Sequence, residues 1–197
     1  MQTLSKLLLM AGAIIIISAD TPVKNKYTLN KDYTIFIYGT SNIHDWNEQV
    51  QTATGEGLVK VNDGSFDLQA ISIKIAVHSI HSDIGSAMNN NTYKALKADA
   101  NPEIIFTLTE QILFIPLKTS ETAITAKGNL TIAGVTRPIS MSGKILMQTA
   151  GKISFEGSQT IKMTDYGIDP PKALFGTLKT GNEITVSFKT NFLITAN

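Results

Sequence analysis

From Tyr27 onward the chain is written mostly with a period of two. Between Ile124 and Met147 two runs of alternation meet at one turn. In the first, Ile124, Ala126, Gly128, Leu130 and Ile132 alternate with Thr125, Lys127, Asn129 and Thr131; after Ala133-Gly134 the pattern resumes as Val135, Ile139, Met141, Ile145 and Met147 against Thr136, Ser140, Ser142, Lys144 and Gln148. Successive strand side chains point to opposite faces, so each run predicts a β-strand with one apolar face. The pair predicts a hairpin whose glycine supplies positive φ. Pro138 lacks the N–H that a ladder needs and is expected at a strand start, a bulge or a locally unpaired site.

The same pattern recurs along the chain. Thr34 to Ser41 is rich in β-branched and aromatic residues, and Glu48 to Val61 is a more polar strand stopped by Asn62-Asp63-Gly64. Leu68 to Ile80 alternates with Ile71, Ile73, Ile75 and Val77 on one side, and Ile104, Phe106 and Leu108 form one face of a strand that starts after Pro102. A short strand over Gln111 to Leu117 and two more over Ile153 to Lys162 and Ile184 to Ile194 bring the expected total to eight or nine, antiparallel, at the spacing of a meander. One-sided alternation without long crossovers predicts an all-β barrel or sandwich, and closure removes exposed edges.

One stretch departs from this period. Ser86 to Ala98 places Met88, Thr92, Ala95 and Leu96 at helical spacing, with Asp83 or Ser86 as the expected N-cap and Pro102 soon after to prevent continuation. This is the single expected helix, lying either across a barrel mouth or on the surface between two strands.

The amino end reads differently again. Lys6, an apolar run of about ten residues and the small Ala19 before Asp20 describe a signal peptide over residues 1–19, too short for a membrane span of about 20 apolar residues. A retained anchor is the alternative reading. Residues 20–26 form a polar linker and 27–197 one domain, large enough for a sizeable core. No cysteine is present, so neither a disulfide nor a cysteine-linked lipid contributes.

Composition narrows the classes of partner. With 17 Lys+Arg against 16 Asp+Glu the chain has no basic field for nucleic acid or for an anionic membrane surface. His78, His81 and Asp83 make an H-x-x-H-x-D set, but residues three apart on a straight strand face opposite ways, and a metal site is not expected. Ser41, His44 and Asp45 supply the residue types of a hydrolytic triad without the spacing or a G-x-S-x-G elbow; a polar turn with Trp46 buried beside it is the expectation. Asn89-Asn90-Asn91 near the helix start, with Lys94 and Lys97 beyond, could hold an anion or simply form a solvated face.

Four segments carry a family resemblance: GNLTIAGVTRPIS (Gly128 to Ser140), SNIHDW (Ser41 to Trp46), YKALKADANPEIIF (Tyr93 to Phe106) and MTDYGIDPPKALFGTLKTGNEITVSF (Met163 to Phe188). Together they resemble the YceI-like family of exported lipid-binding proteins. The resemblance implies an antiparallel, lipocalin-like β-barrel of about eight strands with one short helix near a mouth. It implies a periplasmic or secreted location and a lumen that holds a polyisoprenoid, an isoprenoid quinone or a related long-chain lipid, with no cofactor and no catalytic residue. Many members carry charged residues, Arg included, ahead of the helix, whereas Arg137 is the only arginine here. Combined with the strand faces, the expected lipid-binding residues are Ile35, Ile37, Ile73, Ile75, Met88, Phe106, Leu108, Ile139, Met141, Ile145, Phe155 and Phe188. The alternatives are an enzyme acting on a lipid-like substrate and a structural barrel with a filled core. A homodimer stays open.

Overall fold

The computed structural model describes residues 24–148, 151–173 and 177–195. The signal peptide read over residues 1–19 lies outside these residues. Strands β1 (Lys24–Leu29), β2 (Thr34–Ser41), β3 (Trp46–Val50), β4 (Ala53–Asn62), β5 (Ser65–Ala76) and β6 (Ile80–His81) precede helix α1 (Ser86–Ala95). They are followed by β7 (Glu103–Leu108), β8 (Ile112–Pro116), β9 (Thr122–Ile132), β10 (Val135–Gln148), β11 (Lys152–Lys162), β12 (Lys172–Ala173) and β13 (Leu178–Ile194). Because β1 already begins at Lys24, the linker read over 20–26 loses its last three residues to the barrel.

Several of these strands are halves of longer ones. β1 and β2 both pair antiparallel with β13, β3 and β4 continue one another, β5 runs on through a 3-10 turn at Val77–Ser79 into β6, and both β7 and β8 pair with β5. These four composite strands with β9, β10, β11 and β13 make an eight-stranded antiparallel meander, which β1 closes against β13. Side chains repair the breaks. The Tyr33 hydroxyl donates to Gln51 O (3.0 Å) and accepts the Ala53 N–H (2.7 Å), where Gln51 and Thr52 interrupt the ladder between β3 and β4. The polar strand read as continuous from Glu48 to Val61 is therefore two strands.

The β9–β10 hairpin closes with Ile132 opposite Val135 across two residues, Ala133 (φ 50°) and Gly134 (φ 82°). Positive φ at both positions is the I′ geometry, whose twist matches that of the flanking strands. A Cβ on Gly134 would also come within 2.8 Å of Asn101 Oδ1. Pro138 sits within β10 opposite Asn129.

A bulge changes the inner face of β5. Leu58 pairs with Ala70 but Val59 pairs with Leu68, which leaves Gln69 as the extra residue. Side-chain parity switches there, so Phe66 and Leu68 below it and Ile71 and Ile73 above it all join the same core. The alternation read from Leu68 to Ile80 thus holds only from Ile71 to Val77, between the bulge and the 3-10 turn.

The N-cap of helix α1 falls between the two expected ones, two residues after Asp83 and one before Ser86. Gly85 is the N-cap, with φ 118° and no side-chain cap bond, and Ser86 is already helical. The Asn89 side-chain oxygen instead reaches back to accept the Ser82 N–H at 2.8 Å. None of the helix is fully buried, but Met88, Ala95 and the following Leu96 turn toward the barrel and pack on a cluster around Trp46, Ile132, Met163, Tyr166 and Ile168. No helix among the described residues is long and apolar enough to cross a membrane.

Candidate functional site

The barrel is filled at one end and hollow at the other. At the end carrying the β4–β5 and β10–β11 turns, Tyr27, Val59, Phe66, Leu108, Ile115, Ile145, Ile153 and Phe192 form a continuous buried core. Toward the opposite end, beneath α1, lies an apolar cavity of about 390 Å³. That falls in the range of roughly 300–1,000 Å³ usual for small-molecule sites. Leu68, Ile71, Phe106 and Phe155 belong both to the cavity wall and to the core or its immediate packing, so they form the floor. Met88, Ala95 and Leu96 border it from the helix side.

Nine of the twelve expected residues border this cavity: Ile35, Ile37, Ile73, Ile75, Met88, Phe106, Met141, Phe155 and Phe188. Leu108, Ile139 and Ile145 do not. Leu108 and Ile145 are part of the filled core, and Ile139, opposite Gly128, packs against it. Strand parity identifies the inner face but not the height at which packing ends and empty space begins.

The wall of the cavity is incomplete on one side. β10 and β11 pair from Gln148 and Lys152 up to Gly143 and Gly157, and no pairing between the two strands continues above that point. The two glycines let the strands touch where they part: a Cβ on Gly143 would lie 2.8 Å from the Glu156 carbonyl oxygen, and one on Gly157 equally close to that of Ser142. The cavity reaches Ser142, Lys144 and Glu156 here, residues whose side chains point outward. Farther up, Arg137 Nε donates to Asp165 O at 3.0 Å and links β10 to the 3-10 turn at Met163–Tyr166 that follows β11.

Of the charged residues that border the cavity among the described residues, Glu48 alone is buried, and sequence reasoning passed over it. Trp46, Glu48 and Val50 occupy alternate positions of β3 and are all buried, Glu48 being 2% exposed. An acid between two apolar residues on the buried face was the available signal. The Thr92 hydroxyl of α1 donates to Glu48 Oε1 at 2.6 Å. Burial raises the carboxyl from its ordinary value of 4.5 to about 7, against the lowering effect of that hydrogen bond.

The sets of residues with catalytic or metal-binding chemistry do other things. Ser41 Oγ donates to His44 O (2.7 Å) and accepts the N–H groups of Ile43 and His44, while His44 Nδ1 lies 2.9 Å from Asp45 O. These residues build a turn, and Trp46 lies over Gly39 beside it with its indole N–H donating to Thr40 O at 3.0 Å. His78 Nε2 lies 3.6 Å from Asp99 and its ring meets Tyr93 edge-on, whereas His81 Nε2 is placed at the His78 carbonyl. Among the described residues no three His, Asp or Glu side chains converge as a metal site. Of the asparagines at the helix start, Asn89 is committed to Ser82 and Asn91 borders the cavity.

A family model of the YceI-like domain matches residues 30–192. The chain belongs to the YceI-like domain family. Among solved structures, this YceI-like barrel resembles a polyisoprenoid binding domain from Saccharophagus degradans implicated in plant cell wall breakdown. The TM-score is 0.66 at 12% identity, covering 86% of this chain and 98% of that one. It also resembles BcnA of Burkholderia cenocepacia (TM-score 0.59, 15% identity, 81% and 95% covered). For the Campylobacter jejuni YCEI protein the TM-score is 0.53 at 16% identity, with 98% and 100% covered. At these identities the likeness is one of fold. Among curated sequences, UPF0312 proteins of Pseudomonas paraeruginosa and Pseudomonas aeruginosa are 29% identical over 119 residues, 54% of this chain and 59% of theirs. The matched stretch thus spans less than two thirds of these YceI-like relatives.

Proposed function

We propose that this protein is an exported carrier of a long-chain apolar lipid, of the polyisoprenoid or isoprenoid quinone class, held in the cavity beneath α1. The observation that carries the proposal is the cavity itself, an apolar space inside a folded barrel where a structural protein would place side chains. Each methylene buried there contributes about 0.8 kcal/mol, so a chain of a few isoprene units is retained without ionic contacts. The polyisoprenoid-binding neighbour from Saccharophagus degradans supports the ligand class, and the amino-terminal pattern of Lys6, a short apolar run and Ala19 supports export to the periplasm.

The test is to purify the full chain from the periplasm of its host without detergent and to identify the organic-soluble material that co-purifies by mass spectrometry. A stoichiometric long-chain isoprenoid is the expected result. Protein free of extractable lipid that takes up none when offered would overturn the proposal.

A further inference from the structure

Two buried carboxylates in this barrel are held in contrasting ways, and the contrast bears on the head group of the ligand. Asp67, 6% exposed, sits in the filled half with a backbone donor on one oxygen and a cation near the other: the Phe114 N–H donates to Oδ1 at 2.9 Å and Lys60 Nζ lies 4.0 Å from Oδ2. This is a carboxylate provided for by the protein. Glu48, buried more deeply, has the Thr92 hydroxyl as its one hydrogen-bond donor among the described residues and no cation beside it. A carboxylate has about four lone-pair positions, and leaving them unmet in an apolar site is costly.

Glu48 also borders the cavity, and among the described residues it is the only charged side chain that is both buried and on the cavity wall. The cations that reach the opening, Lys144 and Lys172, are exposed, and Lys144 Nζ lies 3.4 Å from Glu121. An anionic head group placed beside Glu48 would meet a like charge in a medium of low dielectric with no buried cation to offset it. A hydroxyl would instead supply the missing donor. Glu48 stands opposite Ile37 and under Thr92, at the helix end of the cavity, while Phe106 and Phe155 lie at the floor, so a tail can extend downward from a head held at Glu48.

We infer that the site is built for a lipid with a neutral, hydrogen-bond-donating head, a long-chain alcohol, and discriminates against the phosphate ester of the same chain, with Glu48 as the head-group residue. This rests on the carrier reading above and specifies it further. Glu48 accepts from Thr92 on one oxygen and from the ligand hydroxyl on the other, and the apolar wall binds the tail regardless of the head.

The single tryptophan, Trp46, borders the same cavity and provides the readout. Geranylgeraniol and geranylgeranyl phosphate, which share one tail, are titrated at about pH 8 into the full-length mature protein by Trp46 emission and by calorimetry. Wild type is expected to bind the alcohol more tightly than the phosphate by at least about tenfold. Glu48→Gln and the apolar Glu48→Met are each expected to bring the ratio to within about threefold, chiefly through a gain in phosphate affinity. Equal or tighter binding of the phosphate by wild type would overturn the head-group assignment while leaving the carrier reading in place. A full alcohol preference retained in either folded Glu48 variant would remove Glu48 from it. Binding of neither ligand would defeat the carrier reading and this inference together.

Discussion

The two halves of the barrel are made from the same strands with the same alternation, yet one half is solid and the other hollow. In the lower half Phe66, Phe192, Ile145 and Ile153 are almost wholly buried and meet across the axis, helped by the β5 bulge that brings both Phe66 and Ile71 inward. In the upper half, inward positions hold Ile37, Ile73, Ile75 and Met141, which are only partly buried, and the space between them is roofed by a helix instead of being filled. The lower half is packed through to the axis, whereas the upper half keeps its buried clusters around Trp46 and Ile35 in the wall and leaves the space between them open. An inner apolar face is necessary for both and distinguishes neither.

The largest effect should come from the solid half. Phe192, 1% exposed and edge-on to Phe155 at 5.5 Å, fills the axis, so Phe192→Ala should cost roughly 3–5 kcal/mol. Ile73→Ala, which enlarges a space already present, should cost roughly half of that or less. Denaturant midpoints check the pair, and equal losses would abolish the distinction between the halves.

Next in size is the contrast between the two buried acids. The folded value of Glu48, about 7, lies above its unfolded value of 4.5, so the folded state holds the extra proton and stability falls as pH rises from about 4.5 through about 7. The shift corresponds to about 3 kcal/mol. Glu48→Gln should flatten this limb and be more stable than wild type at pH 8 by up to about that amount, with little difference near pH 4. Asp67 runs the other way. The Phe114 N–H, with Asn62 and Lys60, holds its carboxyl below the ordinary range, so the stability it contributes is present above the unfolded value and is lost as pH falls through the depressed one. Urea midpoints from about pH 2 to about pH 8 for wild type, Glu48→Gln and Asp67→Asn would separate the two limbs, that of Asp67 below its ordinary value of 3.8 and that of Glu48 between 4.5 and about 7; a Glu48→Gln slope like that of wild type would contradict the account.

A smaller effect belongs to the hairpin that caps the hollow half. Gly134→Val forces a β-branched residue to φ 82° and its Cβ toward Asn101, and should cost about 1–3 kcal/mol by thermal or chemical denaturation. An unchanged midpoint would mean that the turn relaxes to another geometry at no cost.

Much of the fold could be read from local pattern. The hairpin at Ala133-Gly134, the strand over Thr34 to Ser41 and the helix after Gly85 follow from periodicity and turn chemistry, which act over a few residues. The positions missed depend on contacts between distant strands. The break at Gln51-Thr52 is stabilised by Tyr33, the bulge at Gln69 by the pairing of Leu58 with Ala70, and neither partner is adjacent in sequence. The same holds for the site. Its lining was legible as inward parity at Ile35, Ile73, Phe106 and Met141, but Leu108, Ile139 and Ile145 share that parity and pack into the core. Glu48 acquires its meaning only when Thr92, forty-four residues later, is folded against it.

The central claim is that the hollow half binds a long apolar chain. Met141 borders the cavity opposite Ala126 on β9, whereas Lys127 on the same sheet points outward to Glu110 at 3.0 Å. Titration of a fluorescent polyisoprenoid analogue into wild type, Met141→Lys and Lys127→Met, each with a native circular dichroism spectrum, compares the two faces of one wall. Met141→Lys is expected to lose at least about tenfold in affinity, because its ammonium must be desolvated in the cavity, and Lys127→Met to bind like wild type. Wild-type binding by both variants, or no binding by wild type, would contradict the account.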